Sequence, residues 1–176
     1  MKLKTSTKII IAVVVVVLVI ICGYVLFVEK TANNGAHTGT QQVAPVTYQN
    51  GQYGFTFSLP QDWSGYSIVT STWDGYASGP TGDIPYDNGP MISIRNPKWT
   101  AQTPYQDIPI MVFTISQWND LQNNAFHIGA APIGPSELGR NSNYVFALPA
   151  RYNFAFPAGF QEVETILQGN PLKTGM

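Results

Sequence analysis

Residues 48–63 read YQNGQYGFTFSLPQDW and carry the signals of a β-hairpin that ends in a sharp turn. Asn50-Gly51 is typical of the type I′ turn, whose twist matches that of two paired strands. Pro60 ends the second strand, and Trp63 follows it. Apolar residues alternate with polar ones before that proline, as in a strand with one buried face: Phe55, Phe57 and Leu59. This stretch predicts that a folded domain opens with two antiparallel strands.

Downstream of the hairpin, short strand patterns are interrupted by two helical patterns. Strands are predicted at 66–73, 91–95, 108–113, 126–128, 144–148 and 152–156. A helix at 117–125, with Ser116 as its N-cap, would turn Trp118 and Leu121 inward. A second helix would pack Phe160, Val163, Ile166 and Leu167 and stop at Gly169 and Pro171. Regions rich in Gly, Pro or polar residues are predicted as loops: 74–90, 96–107 and 132–143.

The order of these elements indicates the fold class. Residues 108–113 are almost wholly apolar, which is typical of a central strand buried on both faces. Most strands are followed directly by another strand, which favours antiparallel pairing. We therefore predict an α+β domain over 46–176, with a mainly antiparallel sheet covered on one face by one or two helices.

The opening motif also resembles a known family. The run Tyr48-Gln49-Asn50, then Tyr53-Gly54-Phe55-Thr56-Phe57-Ser58-Leu59-Pro60, then Trp63 is similar to the start of PsbP/Mog1-like domains in small membrane-anchored bacterial proteins. The resemblance covers this hairpin motif only, and the region 74–107 departs from it. It implies an α+β sandwich that docks to membrane assemblies without catalysis.

Residues 9–28 form an uninterrupted stretch of 20 residues without a charge. A helix of that length spans about 30 Å, the thickness of the hydrocarbon core of a bilayer. Lys2, Lys4 and Lys8 precede the stretch, so the positive-inside rule puts residues 1–8 in the cytoplasm. Residues 29–45 are small and polar and are predicted to be a flexible linker. We expect a single-pass protein of the plasma membrane whose C-terminal domain is extracytoplasmic.

Two other interpretations of the N-terminus were weighed. A cleaved signal peptide has a shorter apolar core and a small-x-small cleavage site, and Asn34-Gly35-Ala36 fits that site poorly. A lipoprotein signal at Cys22 would need a small residue before the cysteine, where Ile21 stands. A retained anchor is therefore preferred. Cys22 is the sole cysteine, so no internal disulfide is expected.

Composition excludes several kinds of function. After residue 30 there are five basic and nine acidic side chains, a net charge of −4, and no basic run that would bind nucleic acid. His127 is the one histidine beyond the linker, too few for a zinc site, and no nucleophile motif surrounds it. A weak calcium site at Asp83, Asp87 and Asn88 remains an alternative. We predict no enzyme activity, no metal and no cofactor.

The basic and aromatic residues offer one candidate ligand site. With few charges in the domain, each arginine is expected to have a specific partner. The plainer interpretation is that arginine–carboxylate pairs hold loops to the sheet. The alternative is a pocket for an anion or peptide lined by Arg95, Trp99 and Arg151, because arginine forks match carboxylate or phosphate and Trp offers a stacking face. Trp63 and Trp118 are predicted in the core, and Trp73 and Trp99 at the surface.

Together these features predict a membrane-tethered extracytoplasmic interaction module that docks to a protein or cell-envelope partner near the membrane. The alternative is a domain that binds a small ligand or a glycan. A hydrolase ranks third, and it would require His127 to meet a serine and an aspartate, or two carboxylates to face each other.

Overall fold

The computed structural model describes residues 44–130 and 133–175. The predicted cytoplasmic segment 1–8, the predicted span 9–28 and nearly all of the linker lie outside these residues. Within the described ranges, no helix combines the length and the apolar character that crossing a membrane requires.

The described residues form eight strands, two α-helices and one short 3₁₀ turn, Gln61–Trp63. The helices are α1 (Ile115–Gln122) and α2 (Phe160–Gln168). The strands are β1 (Val46–Asn50), β2 (Phe55–Leu59), β3 (Ser67–Gly79), β4 (Gly82–Arg95), β5 (Ile108–Thr114), β6 (Ser136–Arg140), β7 (Tyr144–Leu148) and β8 (Leu172–Thr174).

These strands make two sheets. The small sheet has the order β1-β2-β8 and the large sheet the order β3-β4-β5-β7-β6. Every pairing within the two sheets is antiparallel. The predicted α+β class with a mainly antiparallel sheet is confirmed, but the strands divide into two sheets where one was predicted.

A first core lies between the small sheet, α2 and one face of the large sheet. Alternate residues of β5 face it, Ile108, Ile110 and Val112, as predicted for a strand with period-2 side chains. The small sheet and the 3₁₀ turn contribute Phe55, Phe57, Leu59 and Trp63, all at most 1 % exposed. The predicted core position of Trp63 is confirmed.

A second core covers the opposite face of the large sheet, where α1 packs. The other residues of β5, Met111 and Phe113, face this core, so β5 is buried on both faces as predicted. Trp118 and Leu121 of α1 turn inward, also as predicted. Trp73 lies here at 3 % exposure, so its predicted place at the surface is wrong.

The predicted opening hairpin is present, but its turn differs from the prediction. Asn50 pairs with Phe55, so the loop has four residues and not the two of a type I′ turn. The Asn50 carbonyl accepts from Gly54 N at 2.9 Å, and its side-chain Oδ1 accepts from Tyr53 N at 3.0 Å. Gly54 takes the positive φ that closes the loop, at +73°.

The predicted loop at 74–90 is wrong, because these residues continue β3 and β4 into one long hairpin. Thirteen residues of β3 pair along β4 from Ser67–Arg95 to Gly79–Gly82, with a bulge at Gly75/Tyr76. Three of the four glycines in this region, Gly75, Gly79 and Gly89, lie where a ring or the backbone approaches closely. A Cβ on Gly89, for example, would lie 2.6 Å from the Trp73 ring.

Three further boundaries differ from the prediction. Helix α1 is capped by Thr114, not Ser116, and ends at Gln122. Part of the predicted loop 132–143 is strand β6. Residues 152–156 are not a strand but consecutive turns, in which the Arg151 carbonyl accepts from Phe154 N. Helix α2 and its stop at Gly169 are confirmed.

Candidate functional site

Two of the three predicted ligand-site residues lie together. The Arg95 guanidinium carbon is 4.0 Å from the centroid of the Trp99 ring. Arg95 Nε also donates to Asp107 Oδ2 at 3.1 Å, and both side chains are largely buried. Arg95 therefore has a carboxylate on one side and an aromatic ring on the other, which agrees with the plainer interpretation of an arginine that holds a loop to the sheet.

The third residue, Arg151, makes no hydrogen bond or ion pair with Arg95 or Trp99 among the described residues. Its side chain is exposed, and its guanidinium carbon lies 5.8 Å above the Phe154 ring. Its backbone is left-handed, with φ +55°.

Buried polar atoms surround the Arg95–Asp107 pair. Asn96 follows Arg95 and is 2 % exposed, and Gln106 precedes Asp107 and is 6 % exposed. Gln106 Nε2 donates to the Asp107 carbonyl at 2.8 Å and to the Tyr152 carbonyl at 3.3 Å. Three buried atoms have no partner among the described residues: Asn96 Nδ2, Gln106 Oε1 and Asp107 Oδ1. One donor and two acceptors are thus left for hydrogen bonds beyond those described.

One end of the domain brings together the start of β1, the 3₁₀ turn Gln61–Trp63 and the start of α2, and we call it the tether end. Val46, the first residue of β1, pairs with Leu59, which leads into the 3₁₀ turn. Trp63 of that turn donates through Nε1 to Glu162 Oε1 at 2.8 Å, in the first turn of α2. Lys98 lies 3.9–4.0 Å from the carboxylates of Glu162 and Asp62.

The tether end also carries the two most exposed large apolar residues among those that the structure describes. Phe154 is 71 % exposed and Phe156 is 67 % exposed, both in the segment 151–156, which we call the aromatic turn. The Phe156 ring contacts the ring of Phe160 edge-on, with centroids 5.1 Å apart, and so joins the turn to the start of α2. The alternation of aromatic residues in this segment predicts a strand, whereas the rings of Phe154 and Phe156 are exposed on turns.

At the opposite end, the β3–β4 hairpin extends past the rest of the large sheet. The pairing of β4 with β5 stops at Met91 and Met111. Residues 74–88 therefore lack a strand beside β4 among the described residues, and we call them the arm. Ile84 is 52 % exposed and Tyr86 is 49 % exposed on this arm.

The arm is held from one side by α1 and by the segment that follows it. Gln117 Nε2 donates to Asp87 Oδ1 at 3.0 Å and to the Asn88 carbonyl at 3.1 Å. His127 and Tyr76 exchange two backbone hydrogen bonds, each of 2.8 Å. The predicted strand at 126–128 is reduced to this single bridge.

Four stacked rings connect the arm to the second core. Phe113, Trp73, Phe126 and Tyr86 succeed one another with centroids 4.4, 6.1 and 5.2 Å apart and with planes inclined by at most 30°. Trp73 Nε1 also donates to the Val112 carbonyl at 3.0 Å. Pro90 precedes Met91 in β4 and has no N–H. The Trp73 indole therefore gives the Val112 carbonyl the hydrogen bond that a backbone N–H of β4 would otherwise donate.

Two shallow hollows flank Phe126 and His127 beside the arm. One has a volume of about 220 Å³ and is lined by Leu121, Ile128 and Ile133, among others. The second, of about 400 Å³, is lined by Tyr76, Ala77 and Ser78. Ile133 is itself 59 % exposed. Ile133 therefore adds one exposed apolar side chain beside Phe126 and His127.

The geometry of His127 bears on the hydrolase alternative. Its Nε2 lies 3.4 Å from Asp83 Oδ2 and its Nδ1 lies 3.3 Å from the Tyr76 carbonyl. Both ring nitrogens therefore face acceptor oxygens, and a neutral imidazole has one N–H to donate to them. No hydrogen bond joins His127 to a serine in the part of the chain that the structure describes.

The predicted calcium alternative meets similar competition. Asp83 faces His127, and Asp87 Oδ1 accepts from Gln117 and from Asn88 N. Within the described ranges, no three His, Cys, Asp or Glu side chains come together in a group that could hold a metal ion.

Comparisons of the chain with protein-family models, with curated proteins and with solved structures found no match. The resemblance of residues 48–63 to PsbP/Mog1-like domains therefore stays a prediction that rests on the motif.

Proposed function

We propose that this chain is a membrane-tethered extracytoplasmic interaction module and that its arm docks onto a protein partner near the membrane. The role is binding and not catalysis. The observation that carries the proposal is a pair of large apolar side chains, Ile84 and Tyr86, held about half exposed on a hairpin that extends past its own sheet.

Burial of such side chains is the main favourable term in protein association. Covering a large apolar side chain is worth roughly 1.5–3 kcal/mol when it passes from full exposure to full burial. Because Ile84 and Tyr86 are about half exposed, a partner that buries them gains part of that free energy. Asp83, Asp87 and Asn88 lie beside them and supply the polar rim that is usual at interfaces.

The contacts that hold the arm reduce the entropy cost of binding. Gln117 donates a hydrogen bond to Asp87, His127 forms a β-bridge with Tyr76, and the Tyr86 ring stacks on Phe126. A surface that is ordered before association loses less conformational freedom when the partner arrives. The arm is therefore suited to docking as a preformed surface.

The chemistry of the arm favours recognition by side chains over addition of a partner strand. Pro85 lies in the part of β4 that has no second neighbouring strand among the described residues. A proline offers no N–H to a strand that would pair there. We therefore expect the partner to present an apolar surface that receives Ile84 and Tyr86.

The direction of the arm supports a partner that stands away from the bilayer. β3 leaves the tether end at Ser67 and reaches the hairpin tip at Gly79. At about 3.3 Å per residue these 13 residues measure roughly 40 Å. If the predicted span anchors the chain, the arm is available to an assembly above the membrane surface.

Photo-crosslinking in cells that express the full chain tests this function. A benzophenone amino acid at position 84 should give one discrete adduct, and the same group at position 168, at the exposed end of α2, should not. Tyr86→Ser should weaken the adduct from position 84. Equal adducts from both positions, or none from position 84, would refute docking by the arm.

Binding of a small anion or glycan near Arg95 and Trp99 is a second candidate, favoured by the three unpaired polar atoms beside Asp107. A thermal-shift screen with phosphate, carboxylates, simple sugars and calcium tests it. A ligand at about 100 times its Kd adds roughly 2.7 kcal/mol. Trp99→Ala should abolish that shift, whereas Arg151→Ala should not, because Arg151 makes no hydrogen bond or ion pair with Arg95 or Trp99 among the described residues.

A further inference from the structure

We infer that the aromatic turn, residues 151–156, lies in the headgroup region of the lipid bilayer that anchors the chain. This inference rests on the membrane tether of the proposed function, but it concerns a surface other than the arm. The two surfaces occupy opposite ends of the domain, so each can be tested without the other.

The side chains of the turn suit the interface between water and lipid. Phe154, Ala155 and Phe156 are consecutive and all exposed, and the two rings are about two-thirds exposed or more. When exposed rings of this kind insert at the boundary between lipid headgroups and acyl chains, their apolar surface is removed from water. Arg151 stands at the start of the same turn and has no carboxylate partner among the described residues. Its forked donors match a lipid phosphate.

The exposure of these rings is imposed by the fold. Phe156 has φ +46°, a left-handed backbone that a bulky side chain rarely adopts. The Asn153 carbonyl accepts from Phe156 N at 2.9 Å, and Asn153 Nδ2 donates to Glu164 Oε1 at 2.7 Å. Strained backbone persists where the surrounding structure determines it, and it is concentrated at functional positions. Here it directs the rings outward.

Connectivity puts the turn at the end where the chain enters the domain. Val46 pairs with Leu59, the 3₁₀ turn follows, and Trp63 binds Glu162 at the start of α2. Phe160, which begins α2, contacts Phe156. The predicted linker 29–45 has 17 residues and a flexible-chain end-to-end distance of roughly 20–25 Å. The turn is thus at the end of the domain that the predicted linker enters.

This arrangement favours lipid over a protein as the occupant. Two exposed rings beside a cation without a carboxylate partner match an interfacial anchor, in which rings enter the lipid and a cation meets a phosphate. Lys98 and Arg95, the other cations of this end, are paired with carboxylates, so the contact depends on ring insertion more than on net charge.

The test uses the full chain with Cys22→Ala in vesicles of phosphatidylcholine with a minor share of phosphatidylglycerol. A nitroxide label is placed at Ala155→Cys in the aromatic turn. The matched control is Thr81→Cys, at the tip of the arm. Collisions with oxygen, which concentrates in lipid, and with a nickel chelate, which stays in water, are measured for each label. Flotation of the vesicles reports anchoring of the chain separately.

We expect the label at 155 to collide several-fold less with the nickel chelate, and more with oxygen, than the label at 81. Phe154→Ser should reverse this protection while the near-ultraviolet circular dichroism of the domain stays unchanged, because Phe154 is 71 % exposed and stacks on no other aromatic ring among the described residues. Equal water exposure at 155 and 81 in chains that float with the vesicles would overturn the inference and leave docking by the arm intact. Chains that do not float would overturn both the inference and the tether.

Discussion

At the scale of single residues, two glycines allow rings to lie against the strands of the arm. Gly75 is crossed by the Phe126 ring and Gly89 by the Trp73 ring. Neither glycine has a positive φ, so the reason for glycine is space and not backbone conformation. The rings at these positions belong to the stack that joins the arm to the second core.

Gly89→Ala should destabilise the domain, because the added Cβ would lie 2.6 Å from Trp73 Cε2 in a buried stack. Overpacking of this kind costs on the order of 1–3 kcal/mol, or roughly 4–12 °C in Tm at this size. Gly51→Ala is the control, since nothing lies within 4 Å of its Cβ. Thermal unfolding of the full chain in detergent measures both. Equal Tm values for the two variants would contradict the account of the arm.

Trp73→Phe should lose the hydrogen bond to the Val112 carbonyl while keeping an aromatic ring in the stack. An unpaired buried acceptor costs about 1–3 kcal/mol. Trp118→Phe is the matched control, because Trp118 is buried but makes no side-chain hydrogen bond among the described residues. Chemical denaturation should show a larger loss for Trp73→Phe. A larger loss for the control would mean that the indole hydrogen bond is dispensable.

Tyr152 predicts a dependence of stability on alkaline pH. Burial raises the pKa of Tyr152, and the carboxylate of Glu164 raises it further. The folded chain therefore keeps this proton at a pH where the unfolded chain, with a pKa of about 10, has lost it. The resulting stability is complete below about pH 10 and decreases as the pH rises through the folded-state pKa. Tyr152→Phe should flatten that decrease and change little at pH 7. Parallel pH profiles in urea unfolding would contradict this.

At the scale of elements, one side chain links a helix to the arm. Gln117 Oε1 accepts from Thr114 N at 2.9 Å and completes a capping box for α1. Its Nε2 donates to Asp87 and Asn88. The N-terminus of α1 and the base of the arm are therefore held by the same residue.

Gln117→Glu should separate these two functions. A glutamate at this position keeps the capping acceptor but loses the amide donor and faces Asp87 with a like charge. We expect faster hydrogen exchange in residues 83–88 with little change in α1. Thr114→Ala should do the reverse, weakening α1 by roughly 0.5–2 kcal/mol while the Gln117–Asp87 contact remains. Unchanged exchange in the arm of the Gln117→Glu chain would mean that Gln117 does not hold it.

The elements also show what local sequence patterns could predict. The prediction of β5 is correct because five of the six residues from 108 to 113 are apolar and buried, on one face of the sheet or the other. The arm was missed because Gly75, Gly79 and Gly89 indicate a loop by composition, and only the positions of distant rings explain them. The aromatic turn was missed for the opposite reason, since Phe154 and Phe156 alternate as a strand would but are exposed.

At the scale of the whole molecule, the α+β class followed from element order, but the division into two sheets did not. β8 consists of three residues, and it joins β2 from the far end of the sequence. The candidate site is likewise predicted only in part, because local sequence patterns do not reveal where residues distant in sequence lie. Arg95 and Trp99 are close in sequence and lie together, whereas the position of Arg151 depends on a turn with left-handed backbone.

The described domain has two functional ends in this account. The tether end carries the exposed rings Phe154 and Phe156, and the far end carries the arm with Ile84 and Tyr86. The proposed docking and the proposed lipid contact both require the domain to lie outside the cytoplasm, with residues 9–28 as the single membrane anchor. That topology is the central claim.

Labelling of single cysteines with a membrane-impermeant thiol reagent in intact cells tests the topology directly. In a chain with Cys22→Ala, Thr81→Cys at the exposed tip of the arm should be labelled without lysis. Ser6→Cys, in the predicted cytoplasmic segment, should be labelled only after the membrane is opened. Labelling of position 6 in intact cells, or protection of position 81 until lysis, would contradict the account.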